Sequence, residues 1–166
     1  PLEKYLGKIG LKKVTQGYQS FSSGNSRELI FIDDKKFNFI PLICYEIIYS
    51  GKIYPILDDT SFIINISEDG WFGNSIGPYQ HFSHSIFRAI EEGKNVIRAS
   101  NNGISAFIDS NGIIVNKKES TEKGVIEVNN YKDIKNTLFS KYGNKIFFYF
   151  IIFYISLFFL IYKKES

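Results

Sequence analysis

The chain has no methionine, and among its 166 residues it has only one cysteine, one tryptophan, two histidines and four prolines. A single cysteine excludes an internal disulfide framework and any zinc site built from several thiolates, so Cys44 is a buried spacer, a reactive thiol or an intermolecular partner. The two histidines, His81 and His84, lack a third ligand at matching spacing, and no metal is expected. Excess charge is scarce too. The net charge is +3 and the lysines are scattered, so there is no basic stripe of the kind nucleic acid requires and no nucleic-acid partner is expected. The N-terminal residues lack the charged, apolar and small-residue regions of a secretory signal. A chain that starts at Pro1 and contains no methionine is expected to be a piece of a longer product.

A hydrophobic fraction of 44% with 22% charged residues fits one globular domain. Composition changes abruptly at Ile146 to Tyr162, seventeen residues of Ile, Phe, Leu and Tyr broken only by Ser156. At ~1.5 Å per residue this run reaches about 25 Å, slightly short of a bilayer core, with Tyr149, Tyr162, Lys145 and Lys163 available as interfacial anchors. Thirteen of its residues are Ile, Phe or Leu, which together favour insertion by about 4 to 8 kcal/mol at most. A buried core helix or an aggregation-prone strand is the alternative. The expected division is a domain over 1–140 and a transmembrane helix over 144–163, with orientation undecided by the lysine pairs on either side.

Before the apolar run the pattern alternates between strand and helix. Leu29 to Asp33 and Phe37 to Ile43 read as strands around the turn Asp34-Lys35-Lys36, and Ser61 to Ile66 as a buried strand. Pro78 to Gly93 reads as a helix, with Pro near its start, Phe82, Ile86 and Ile90 forming a narrow apolar stripe, and Gly93 ending it. Val96 to Ala99 is another strand. Ile104 to Asp109 and Ile113 to Asn116 flank Ser110-Asn111-Gly112 as a hairpin, and Gly124 to Val128 reads as the last strand. Asn129 to Ser140 reads as a linker. The fold class is α/β.

Three stretches carry candidate chemistry. In PLICYEII, Cys44 follows the strand Phe37 to Ile43, and Glu46 onward is expected to start a helix whose N-terminus would favour a thiolate and an oxyanion. A lone cysteine among Ile and Leu is also a common small core residue. A nucleophile needs a base. His81 and His84 would allow a papain-like pair, although satisfied or surface histidines are commoner. Glu46 is near enough to orient a group or take a proton, or simply favours a helix start. The loop SEDGWFGNSIGP follows a buried strand at the sheet end where α/β proteins place sites. Its Trp71 and Phe72, between glycines, would meet an apolar acyl chain or would pin the loop by their own burial.

Taken in order, ICYEII, FIINISEDGWFGNSIGPYQHF and IRASNNGISAFID resemble the nitrilase-superfamily domain of the bacterial apolipoprotein N-acyltransferase family. The WFG-SIGP-QHF and NNGI strings separate that family from soluble nitrilases and amidases. The resemblance implies part of a nitrilase-like α-β-β-α sandwich facing the periplasm, followed by one C-terminal helix in the bacterial inner membrane. It implies an acyl chain taken from a phospholipid donor as a thioester on Cys44, then passed to the N-terminal diacylglyceryl-cysteine of an apolipoprotein acceptor. By motif, the Tyr45 backbone N–H belongs to the oxyanion hole and Glu46 supports the site. No cofactor is implied.

One departure matters. The family uses a Glu–Lys–Cys triad whose glutamate and lysine precede the cysteine, and Glu3, Lys4 and Lys8 do not match their positions. The chain is therefore expected to be inactive alone, to need a complementary N-terminal half, and to expose strand edges and apolar surface without it. A carbon–nitrogen hydrolase and a non-catalytic membrane-anchored remnant are the rival readings.

Overall fold

The computed structural model describes residues 24, 26–32, 37–51, 53, 62–129, 131 and 136–165. The expected turn at Asp34-Lys35-Lys36, the strand residue Ser61, and Glu3, Lys4 and Lys8 lie outside the described residues. Among the described residues, six strands form one sheet in chain order: β1 (Ile30–Ile32), β2 (Phe37–Ile43), β3 (Phe62–Glu68), β4 (Asn95–Asn101), β5 (Ser105–Ile108) and β6 (Ile114–Lys118). The central strands β2, β3 and β4 run parallel, while β1, β5 and β6 join antiparallel at the flanks. Parallel pairing brings the carboxyl ends of β2, β3 and β4 to one end of the sheet, and the residues that follow them meet there.

Helix α1 (Gly77–Glu92) makes the crossover from β3 to β4. Pro78 sits in its first turn, and Gly93 ends it with φ +64, a left-handed value that a side chain would disfavour. Its bounds agree with the sequence, but its buried stripe does not. Phe82 is buried and Ile86 packs on the core, whereas Ile90 is exposed. The buried positions are Pro78, His81, Phe82, Ser85, Arg88, Ala89 and Glu92, a helical repeat that is mostly polar.

One face of the sheet holds the core. Ile40, Leu42, Ile63, Val96, Ala106 and Ile108 pack there with Phe82 and Ala89 of α1 and with Ile47, each large aliphatic contributing roughly 1.5–3 kcal/mol by leaving water. Register places Leu42, Asn65 and Arg98 side by side on this face. Strand alternation turns Phe39, Pro41, Ile43, Ile64, Ile66, Ile97 and Ala99 to the other face; Ile43, Ile66 and Ala99 are exposed there and the rest are half-buried. That second face is apolar and only partly covered.

Three expectations are corrected. Residues 124–128 pair with no strand among the described residues; instead Ile126 and Val128 join Phe37, Phe62, Phe107 and Tyr131 around a pocket of about 280 Å³, burying apolar side chains against the sheet rather than extending it. The segment after Cys44 is not an α-helix but a five-residue 3-10 turn, Cys44–Ile48. The expected linker contains a short helix, α2 (Leu138–Tyr142), capped by the Thr137 hydroxyl accepting from the Ser140 N–H. Helix α3 (Lys145–Glu165) follows. Its segment Lys145–Lys163 is long and apolar enough to cross a membrane, and none of it is buried against the rest of the chain.

Candidate active site at the carboxyl end of the sheet

Cys44 is where β2 gives way to the 3-10 turn. Its φ is +51, one of two positive values among the described non-glycine residues. An L-residue with a side chain is held there only when its surroundings over-determine it. Cys44 is a free thiol and half-buried.

The surroundings are specific. The Glu46 carboxylate accepts the Ile43 N–H at 2.7 Å and meets the Arg27 guanidinium at 3.4 Å. It ties the turn back on itself, as a supporting residue would. Asn65, fully buried on β3, donates to the Leu42 carbonyl at 2.9 Å and the Cys44 carbonyl at 3.3 Å. Its own carbonyl accepts from Arg98. The strained turn is thus fastened from its own side chain and from the neighbouring strand.

Behind it lies a buried polar cluster. Asp69, immediately after β3, receives the Ser67 hydroxyl at 2.8 Å and the His81 ring at 2.8 Å on one oxygen, and Arg98 at 2.7 Å on the other. Arg98 also donates to the Ile104 carbonyl at 3.2 Å. Burial alone would push the Asp69 carboxyl up, but the His81 and Ser67 hydrogen bonds and the Arg98 charge more than reverse it, holding Asp69 well below the usual carboxylate range. With Asp69 ionised, His81 must carry its hydrogen on Nδ1. Ser67 Oγ lies 3.9 Å from Cys44 Sγ, with its one proton already given to Asp69. Gly103 makes room for this cluster, since a Cβ there would collide with the Asp69 carboxylate and the Ser100 hydroxyl.

Aromatic rings cover the cluster. Tyr45 stacks on His81 at 5.0 Å with planes 24° apart, and Phe72 meets the same imidazole edge-on at 5.7 Å. Phe72 is half-buried and Trp71 is 87% exposed, so the two residues paired in the sequence reading separate: one closes the loop and the other projects from it. His84 is half-buried, and burial first, then the Arg88 charge, lowers its pKa. Glu68 braces two loops, accepting from the Gly70 N–H at 2.7 Å and from the Asn101 and Asn102 amides.

Of the residues singled out in the sequence, the structure brings Cys44, Tyr45, Glu46, Phe72 and His81 to one end of the sheet and leaves Trp71 projecting from it; Asn65, Ser67, Asp69 and Arg98, which gather at the same place, were not singled out. Arg98 had a signal: it stands in the middle of NVIRASN, on a central strand where a charge needs a buried partner. Among the described residues, no three His, Cys, Asp or Glu side chains are grouped to hold a metal ion.

Residues 11–131 match the family model described as carbon-nitrogen hydrolase. The chain is similar to proteins named apolipoprotein N-acyltransferase: 37% identical over 127 residues to that of Rhizobium rhizogenes, covering 76% of this chain and 24% of that protein; 43% over 125 residues to that of Wigglesworthia glossinidia brevipalpis, covering 74% and 25%; and 41% over 145 residues to that of Rickettsia typhi, covering 87% and 28%. The chain thus spans about a quarter of the length of the curated relatives it matches. A solved carbon-nitrogen hydrolase superfamily protein from Xanthomonas campestris overlays 62% of this chain and 43% of its own, with TM-score 0.47 and 17% identity. The matched segment takes in all six strands, α1, the strained turn and the buried cluster, and the chain belongs to the carbon-nitrogen hydrolase family.

Proposed function

We propose that this chain carries the nucleophile of an apolipoprotein N-acyltransferase and acts in the bacterial inner membrane with its sheet domain on the periplasmic side. The observation that carries the reading is Cys44: a half-exposed thiol at the carboxyl end of a central parallel strand, held at φ +51 by dedicated side chains. A residue is kept in such a conformation at a cost of order 1–3 kcal/mol, a cost characteristic of functional sites.

In the proposed reaction the Cys44 thiolate attacks the ester carbonyl of a phospholipid. The acyl–oxygen bond breaks, the departing lysophospholipid oxygen takes a proton, and a thioester remains on Cys44. The α-amino group of the lipoprotein's diacylglyceryl-cysteine then attacks the thioester, an amide bond forms as the carbon–sulfur bond breaks, and the amine proton is given up as the thiolate leaves. Tyr45 N–H would face the oxyanion in both steps. Trp71, projecting from the loop, is suited to meet an acyl chain.

Among the described residues, no uncommitted carboxylate contacts the Cys44 thiol. Glu46 is spent on the Ile43 N–H and Arg27, Asp69 already receives Ser67, His81 and Arg98, and the His81 nitrogen facing Asp69 carries a hydrogen. This supports a base, and a lysine opposite the oxyanion, supplied by a complementary N-terminal segment. The exposed apolar face of the sheet supports the same partner, as does the fully exposed α3 for a membrane span.

Mass spectrometry of Cys44 after incubation with phospholipid tests the reading, on the full chain with and without the complementary segment. An acyl adduct is expected only in the complemented protein, and it should be discharged by a diacylglyceryl-cysteine peptide. An adduct on the chain alone would show that its base is present. A complemented protein that never acylates, or one whose activity survives Cys44→Ala, would end the acyltransferase reading.

A further inference from the structure

We infer that His81 is a positioning residue for acyl transfer: its ring, anchored to Asp69, is the floor on which Tyr45 stacks, and it thereby fixes the Cys44–Tyr45 peptide unit. The inference rests on the acyltransferase reading above. It answers what a buried histidine so close to the nucleophile does.

As a base for Cys44, His81 is badly placed. Its Nδ1 is committed to Asp69 at 2.8 Å. Its Nε2 is buried without a hydrogen-bond partner among the described residues, and Cys44 Sγ is approached instead by the Ser67 hydroxyl, at 3.9 Å. What His81 does contact is the residue after the nucleophile. Its ring lies under Tyr45 at 5.0 Å and against Phe72 at 5.7 Å, and the Tyr45 and Phe72 rings are 6.2 Å apart. Tyr45 is otherwise half out in water, 51% exposed, so the imidazole is the buried side of its setting. The imidazole itself does not move freely: α1 carries it, and Asp69, fixed by Arg98 and Ser67, holds its edge.

The strained turn therefore has three fasteners. Glu46 holds the Ile43 N–H before it, Asn65 holds the Leu42 and Cys44 carbonyls through it, and the His81 stack holds the Tyr45 side chain after it. The third differs from the others in holding a side chain rather than the backbone of the turn. Losing it leaves Cys44 able to react by displacement but lets the Tyr45 N–H drift from the point where an oxyanion forms. Misplacement on the scale of an ångström costs such chemistry about 100-fold.

The two reactions separate the roles. On the full chain assembled with its complementary segment in detergent, Cys44 is alkylated by iodoacetamide, which forms no oxyanion, and acylated by a nitrophenyl fatty ester, which does. His81→Asn keeps a donor for Asp69 and removes the ring. It should slow acylation about 100-fold while alkylation stays within about twofold of wild type. His81→Phe, which restores a ring for Tyr45, should recover at least about tenfold of that loss. Acylation by His81→Asn at the wild-type rate would overturn the inference, as would acylation and alkylation falling in step, the mark of a merely structural residue. A wild-type assembly that is alkylated but never acylated would sink the acyltransferase reading, and this inference with it.

Discussion

Two buried carboxylates, one at each end of α1, face opposite circumstances. Asp69 lies beside His81 in the first part of the helix and receives three side-chain donors, one of them a guanidinium. Glu92, the last residue of α1, is equally buried, yet among the described residues neither of its oxygens has a hydrogen-bond partner. Burial, then the Glu91 charge, pushes its carboxyl up to about 7, with Arg88 opposing. Both lie among buried polar groups, but donors reach only Asp69. What decides whether a buried acid is an anchor or a burden is the number of donors aimed at it, not its depth.

The largest expected effect comes from emptying the anchored side. Asp69→Ala would leave Arg98 charged, 2% exposed and without its carboxylate, at a cost of about 3–5 kcal/mol. Denaturant unfolding of the full chain in detergent checks this. A loss under about 1 kcal/mol would mean that Arg98 finds another partner and that the two acids are not so different after all.

Glu92→Gln should act in the opposite direction and depend on pH. A carboxyl whose folded pKa is raised from 4.5 to about 7 binds a proton more tightly folded than unfolded, so stability falls as pH rises from about 4.5 to 7 and is level outside that window. The amide mimics the neutral acid and removes the penalty. At pH 8 the variant should gain about 3 kcal/mol at most, and at pH 4.5 it should match wild type. Asp69 imposes the reverse slope: its contribution is complete above its ordinary pKa of 3.8 and is lost only as pH falls toward its depressed value. A Glu92→Gln gain that fails to grow between pH 5 and 7 would overturn the assignment for Glu92.

Gly103→Ala probes the space around the anchored acid. The new Cβ would run into the Asp69 carboxylate and the Ser100 hydroxyl, and displacing either should cost about 1–3 kcal/mol, as overpacking does elsewhere. If crowding acts through Asp69, combining it with Asp69→Ala should cost less than the sum of the two.

Much of this arrangement was legible in the sequence, for identifiable reasons. The strand over Phe37–Ile43 and the helix ending at Gly93 were set by local chemistry: an apolar run, a proline in the first turn, a glycine at the stop. Cys44 at a strand end was readable because only one cysteine exists. The buried stripe of α1 was not, because periodicity arguments look for apolar residues, whereas His81, Ser85, Arg88 and Glu92 are buried. His81 is accepted inside only because Asp69 arrives from another element. Asp69 itself sat in a glycine-bearing acidic loop that reads as solvated. Its burial depends on Arg98, twenty-nine positions away, and no local pattern links them. The 3-10 turn after Cys44 was hidden for the same reason: Glu46 looks like a helix-start residue, but its carboxylate reaches back to the Ile43 N–H.

The smallest effect sharpens the contrast most. Ser67 gives its proton to Asp69 at 2.8 Å and lies 3.9 Å from the Cys44 sulfur, so its side chain contacts both the anchor and the nucleophile. Ser67→Ala removes a single donor from an acid that keeps His81 and Arg98. The expected cost is about 1–3 kcal/mol, at the low end because the carboxylate still has two partners, and unfolding in detergent measures it. The comparison with Glu92 gives the number its meaning: if donors are what make Asp69 an anchor, losing one of three should weaken it by a fraction of the Asp69→Ala loss. A Ser67→Ala cost equal to that of Asp69→Ala would mean that the hydroxyl is the indispensable member and the charge network merely surrounds it.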